Sequence, residues 1–358
     1  MMLAARAHGT TGPLVVEKVA VPEPGPDDVL VRVAAAGLAP SLRKLLARGS
    51  FKHLPSTPGH EIAGTVEAAG TDVDAGLVGA RVRVHPVLSC GACAYCRSGR
   101  EQMCPSAAMI GHGAHGHGPM PLYERYHDGG FAEYVRVPAR LVDPLPDGVG
   151  FDLGAKLHDL GNAARALACA DLPTGGTLAV TAATGTMGTA TIKLAPFFGA
   201  ARLVLVARSE QRLAPVAALS TLPVATVPLN DSSPDDLTAR LRAAAPDGID
   251  AVIDFLPEGP GTGQALAALA TGGTLVHMGG NTAPLPGSAR DLQHRCQRIV
   301  GTRGCTRADT RRVLDLLGSG ELTADELITH RFRLPDVNDA LDLLHGREEP
   351  IWMAVIHP

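Results

Sequence analysis

TLAVTAATGTMGTATIKLAPFFG, residues 177–199, passes from a strand-length apolar run into a helical spacing with glycines at the join. Gly185 and Gly188 match two of the three glycine positions of a dinucleotide-binding turn, and Ala183 stands at the first. In such a turn one glycine lets the backbone approach a pyrophosphate, another lets the helix pack on the strand, and the helix N-terminus offers free N–H groups to phosphate. Thr184, Gly185, Thr186, Met187 and Gly188 are therefore candidate cofactor contacts. A glycine-rich turn alone is a weak signal. Its setting between a strand, a helix and a following strand makes it a nucleotide site. Pro196 removes a helical hydrogen bond and predicts a kink or an early end of the helix.

Outward from this turn the strand-length runs continue as ARLVLVA, ATVPL, IDAVIDFL and GTLVHMGG, separated by helix-length segments. That alternation predicts an α/β parallel sheet wrapped by helices. At the end of ARLVLVA, Ala207 stands where an acidic residue would accept from the ribose 2′-OH of NAD. Arg208 and Ser209 follow, and an arginine there suits a 2′-phosphate. The expected coenzyme is NADP(H).

The first 150 or so residues read differently. Valine-rich runs such as DDVLVRVAAAG, HEIAGTVEAAG and FAEYVRVPARLV, bounded by Gly and Pro, predict a largely β domain. Within it, VLSCGACAYCRSGREQMC places Cys90, Cys93, Cys96 and Cys104 at C-x2-C-x2-C-x7-C spacing. Four thiolates close a tetrahedron around Zn²⁺ and leave no position for substrate, so this metal holds a lobe together. Short C-x-x-C spacing favours metal over unrelated buried or disulfide-bonded cysteines, and the remaining Cys169, Cys296 and Cys305 are dispersed.

The 358 residues allow two domains. A net charge of −4 with scattered basic residues argues against nucleic acid or an anionic membrane as partner. The N-terminal stretch lacks the apolar core of a signal peptide and no run is long enough to span a bilayer, so a cytoplasmic protein acting on a small molecule is expected.

PGHEIAGTVEAAG, the cysteine segment, GGFAEYVRVPA, the ATGTMG turn and GGTLVHMGG occur in an order and at intervals by which the chain resembles the medium-chain dehydrogenase/reductase superfamily, the zinc alcohol dehydrogenases and quinone oxidoreductases. The resemblance covers nearly the whole chain. It implies a GroES-like β-rich catalytic domain from residues 1–155 and 300–358, with the zinc lobe at about 88–106, and a Rossmann domain at 156–299. Nicotinamide and substrate would share the cleft, Gly279 would join the cofactor contacts, and a homodimer or homotetramer is expected.

Similar zinc enzymes carry a second, catalytic zinc on a Cys, a His and a third Cys or acidic residue. Here His60 and Glu61 match, and Asp159 falls near the third position, but in GLAPSLRKL Ala39 replaces the Cys and Leu42 the Asp that would orient the His. Losing the thiolate and the supporting carboxylate weakens a zinc site. The favoured reading is an NADPH-dependent reductase of an activated C=C or C=O without catalytic zinc, using Ser41, His60 and Lys44 as donors. The alternatives are an alcohol dehydrogenase with zinc on His60, Glu61 and Asp159, and a low-turnover NADPH-binding protein. The insertion GHGAHGHGPMPLYERYHDGG departs from the family. Its His112, His115 and His117 are poorly spaced for a metal cage, and the segment is expected to be a mobile loop whose Tyr123, Tyr126 and histidines line or cover the substrate pocket.

Overall fold

A computed structural model describes residues 1–113, 116, 118–229, 237–346 and 349–358. His115 and His117 lie outside the described residues. Two compact units are present, Met1–His158 with Thr306–Pro358, and Asp159–Cys305.

In the second unit the apolar runs form six parallel strands. Their spatial order is Val224–Pro228, Ala200–Ala207, Gly176–Val180, Ala251–Asp254, Thr274–His277 and Arg298–Gly301. Leu178, Ala179, Val180, Val252 and Ile253 are fully buried, as strands covered by helices on both faces require. The chain order reverses between Gly176–Val180 and Ala251–Asp254, the switch point of a Rossmann sheet. The sixth strand, RIVG, carries the sheet past residue 299; its exposed Arg298 and Ile299 give no core-strand pattern in the sequence. Pro196 has the expected consequence. The helix Thr186–Leu194 ends two residues before it, and a 3-10 turn, Ala195–Phe198, closes on Gly199.

The first unit is a β domain around one large mostly antiparallel sheet. Asp28–Gly37 pairs with Ile62–Ala69, which pairs with Arg81–Val84. The parallel strands Ile328–Arg333 and Met353–His357 extend the sheet from the C-terminal segment. Val31, Val33, Ile62, Val66, Val82 and Val84 share a core with Tyr123, Tyr126 and Phe131. Pairing of Ile62 with Val84 brings the residues before Ile62 and after Val84, Glu61 and His85, to one end of the sheet. The 20-residue helix Phe151–Ala170 carries Lys156 and His158 in the part belonging to this unit.

The insertion corrects an expectation. Pro121–Arg125 is helical, and Tyr123 and Tyr126 are core residues rather than pocket lining. The Tyr126 hydroxyl donates to Asp28 Oδ1 at 2.5 Å, and burial, with that hydrogen bond, pushes its pKa up to about 12. Aromatic rings with a satisfied hydroxyl contribute more as core than as solvent-facing loop. Among the described residues, no helix is long and apolar enough to cross a membrane.

Candidate functional site

The four cysteines converge as their spacing requires. Cys93 caps the short helix Ala94–Arg97, which turns Cys96 back toward Cys93. Cys93 and Cys96 Sγ are 3.5 Å apart, and Cys90 and Cys96 Sγ 3.8 Å apart. A tetrahedron with Zn–S of ~2.3 Å has S–S edges of ~3.8 Å, so this donor set fits zinc without rearrangement. The Cys93 N–H donates to Cys90 Sγ and the Cys90 N–H to Cys104 Sγ, orienting the sulfurs. Backbone donation at Ala92 holds the Cys90 thiol down to about 6, which supplies a thiolate near neutral pH to begin coordination. Burial pushes Cys96 and Cys104 upward, so metal must displace their protons. Among the described residues this is the one group whose ligand atoms all lie within 4.8 Å of one another.

His60 and Glu61 are buried where the chain enters Ile62–Ala69. The Gly37 N–H donates to the Glu61 carbonyl oxygen at 2.7 Å, joining the ends of two paired strands. Lys156, with no exposed surface, donates from Nζ to Glu61 Oε2 at 2.5 Å, and His60 Nε2 is 3.7 Å from Glu61 Oε1. The His60 ring is edge-on to His112 and His158, with centroids 4.5 and 5.1 Å away. Gly37 makes room for the ion pair: a Cβ there would lie 2.0 Å from Glu61 Oε2 and 2.8 Å from Lys156 Cδ. Lys156 and His158 were not among the residues singled out from the sequence. The available signal was Lys156 and His158 in KLH, with Lys156 flanked by Ala155 and Leu157 in a helix that also carries Asp152, Asp159, Asn162 and Arg165, since lysine is rarely buried without a partner.

The Cys and Asp that the resemblance implies for a catalytic zinc are missing here. Ala39 has no ligand atom, Leu42 is buried hydrocarbon, and Glu61 already holds an ammonium. Asp159 follows His158 at the division between the units. Ser41 caps the helix Leu42–Ala47 without a side-chain hydrogen bond, and both Ser41 and Lys44 are exposed. Neither is joined to His60 by a hydrogen bond or ion pair among the described residues. The lysine inside this cluster is Lys156.

In the second unit, Gly185 is the N-cap of Thr186–Leu194 and has no side chain to occupy the first-turn amides. A Cβ on Gly188 would stand 2.5 Å from the Ala183 carbonyl oxygen, so glycine is needed for the helix to seat on the strand end. Ala207 ends its strand, Arg208 is exposed with no ion pair among the described residues, and Ser209 caps the next helix. Gly279 packs its backbone against Phe255 and Leu256. At the switch point Thr181 Oγ1 and Thr262 Oγ1 donate to the two oxygens of buried Asp254. His277 Nδ1 lies 2.6 Å from Asp254 Oδ2, and its Nε2 accepts from the Asn281 N–H. This network pins the ends of three strands beside the glycine-rich turn. The turn fits a dinucleotide.

Residues 25–147 match the alcohol dehydrogenase GroES-like domain, and residues 186–319 the zinc-binding dehydrogenase family. The chain is 30% identical over 341 residues to L-idonate 5-dehydrogenase of Vitis vinifera, covering 92% of this chain and 88% of that protein. It is also 30% identical over 340 residues to a sorbitol dehydrogenase of Arabidopsis thaliana, with the same coverage of 92% and 88%. Among solved structures, a zinc-binding dehydrogenase of Sinorhizobium meliloti 1021 bound to NADP superimposes with a TM-score of 0.86 at 28% identity, covering 100% of this chain and 99% of that one.

Proposed function

The chain belongs to the medium-chain zinc-binding dehydrogenase family, as an oxidoreductase of the zinc alcohol dehydrogenase type, and from that premise we propose that it uses NADP(H) to reduce an activated C=O or conjugated C=C without a catalytic zinc. The observation that carries this reading is the buried Lys156–Glu61 ion pair beside His60. A divalent cation at Glu61 would meet an ammonium in a low-dielectric setting, and either the metal or the lysine proton would have to leave. The relatives named for alcohol and polyol oxidation favour C=O over C=C.

NADP(H), when bound, supplies or accepts the hydride. The Gly185–Gly188 turn would hold its pyrophosphate, and Arg208 with Ser209 would hold the 2′-phosphate. His60 would provide the proton that the reduced oxygen takes up, with the Glu61 carboxylate 3.7 Å from its Nε2 and itself held by Lys156. Acceptors whose developing charge is already delocalised suit such a site, because no Lewis acid is needed to stabilise an oxyanion.

Metal analysis combined with NADPH and NADH turnover on ketones, enones and secondary alcohols tests the reading. One zinc per chain, NADPH preferred, and turnover that survives selective chelation but falls ~10²-fold in His60→Ala are expected. Ala207→Asp with Arg208→Ala should shift preference toward NADH. Two zincs, one lost with His60, would establish the zinc alcohol dehydrogenase alternative on His60, Glu61 and Asp159. Tight NADPH binding with no turnover would establish a binding protein.

A further inference from the structure

In the second unit the paired strands Ala251–Asp254 and Thr274–His277 end in a closed ring of hydrogen bonds. Buried Asp254 Oδ2 lies 2.6 Å from His277 Nδ1 and accepts from Thr262 Oγ1 at 2.8 Å. Asn281 completes the ring: its N–H donates to His277 Nε2 at 3.1 Å, and its Nδ2 donates to Thr262 Oγ1 at 3.0 Å. Each partner fixes the next. A carboxylate only accepts and a backbone N–H only donates, so His277 carries its proton on Nδ1 and offers the lone pair of Nε2.

The ring holds a bend. Met278 N–H donates to the Asp254 carbonyl at 3.0 Å and Asn281 N–H to His277, while between them the Gly279 and Gly280 amides form no hydrogen bond among the described residues. Gly279 is half-buried, and Gly280 is exposed with a left-handed φ of 73°. The other oxygen of Asp254 accepts from Thr181 at 2.5 Å, and Thr181 leads directly into the glycine-rich turn. Asp254 thus links the bend to the turn. Both lie at the C-terminal ends of strands at the switch point, where open parallel sheets take their ligands.

We infer, resting on the coenzyme binding proposed above, that His277 is a positioning residue for the dinucleotide: locked by Asp254, it holds the Asn281 N–H and so presents the Gly279 and Gly280 amides to coenzyme oxygens. Neither ring nitrogen is left for the coenzyme itself, because Asp254 takes one and Asn281 the other. The imidazole acts as a strut. Backbone donors already fixed in place lose little freedom when a ligand arrives, and that preorganisation raises affinity.

The zinc-loaded protein is titrated with NADPH and with NADH, following coenzyme fluorescence, beside two substitutions that separate the ring nitrogens. His277→Asn keeps a donor near the Nδ1 position and loses the acceptor, whereas His277→Gln reaches the Nε2 position and loses the donor to Asp254. The Asn variant is expected to bind coenzyme about tenfold more weakly, roughly the worth of one hydrogen bond, and the Gln variant to recover most of that affinity. A purely structural His277 would lower the melting temperature of coenzyme-free protein in both variants and leave coenzyme affinity unchanged, which overturns the inference. Equal loss of affinity in both also overturns it, since the ring itself would then be the contact.

Asp254→Asn gives an independent reading. Its amide would donate to Nδ1 and move the ring proton to Nε2, against the Asn281 N–H, a change visible in the ring-nitrogen NMR shifts. Weakened coenzyme binding should accompany it; a moved proton with unchanged affinity overturns the inference. Tighter binding of NADH than NADPH, with the His277 variants ordered as expected, would support the positioning role and refute the NADP(H) reading. Failure of the unmodified protein to bind either coenzyme would refute both.

Discussion

Cys90, Cys93, Cys96 and Cys104 gather four soft donors in one lobe, whereas His60 and Glu61, on the same unit, share their space with Lys156. The first corner has no cation of its own and is shaped for one. The second has an internal cation. Zinc affinity follows thiolate count and the supporting groups that orient each ligand. At the lobe these are intact, down to backbone N–H groups on the sulfurs. At the buried corner the thiolate position is alanine, the orienting position is leucine, and the remaining carboxylate is neutralised by an ammonium. On the proposed reading, the chain keeps the structural half of a two-metal design and replaces the other half with an ion pair.

The contrast can be broken most severely at the lobe. Cys104→Ser should reduce bound zinc from one per chain to near none and forfeit on the order of 10 kcal/mol of metal-binding free energy, read by zinc titration against a competing chelator. At the buried corner, Lys156→Met strands the Glu61 carboxylate and should cost about 3–5 kcal/mol in urea unfolding, while leaving zinc content unchanged. Adding Glu61→Gln should recover most of that stability. If Lys156→Met alone is neutral, the ion pair is not what holds this corner. The sharpest version adds Ala39→Cys to Lys156→Met, which restores a thiolate and removes the competing cation; a second zinc should then bind.

A smaller loss is expected from Gly37→Ala. Its methyl group would collide with Glu61 and Lys156, costing about 1–3 kcal/mol by overpacking and lowering turnover more than coenzyme affinity.

The smallest effect concerns His85, whose electrostatic neighbours include His158 of the buried corner. Burial first, then Arg83, His158, Arg307 and Arg140, lower its pKa well below the ordinary 6.5. The unfolded chain then binds a proton that the folded one refuses. Stability contributed by His85 is present above pH 6.5 and is lost as pH falls toward the folded value. His85→Gln should flatten the fall in melting temperature between pH 7 and pH 5; an unchanged slope would assign that fall to other groups.

Residues near in sequence made the metal lobe and the glycine-rich turn legible, because C-x-x-C spacing and a strand-to-helix turn with glycines encode their geometry within a few residues. The parallel and β-rich halves were legible from the period of apolar runs, although Arg298–Gly301 and Ile328–Arg333, edge strands with exposed or alternating charged residues, were not. Nothing local signalled the partners of Glu61 or His85. Lys156 lies 95 residues from Glu61 in the chain and meets it only because a helix crosses the end of two paired strands with Gly37 making room. Tyr123 and Tyr126 likewise looked like loop residues until the fold turned them inward. Short-range spacing determined which corner holds a metal. Long-range packing decided that the other holds a lysine, since a buried charge must find its counterion wherever the fold places one.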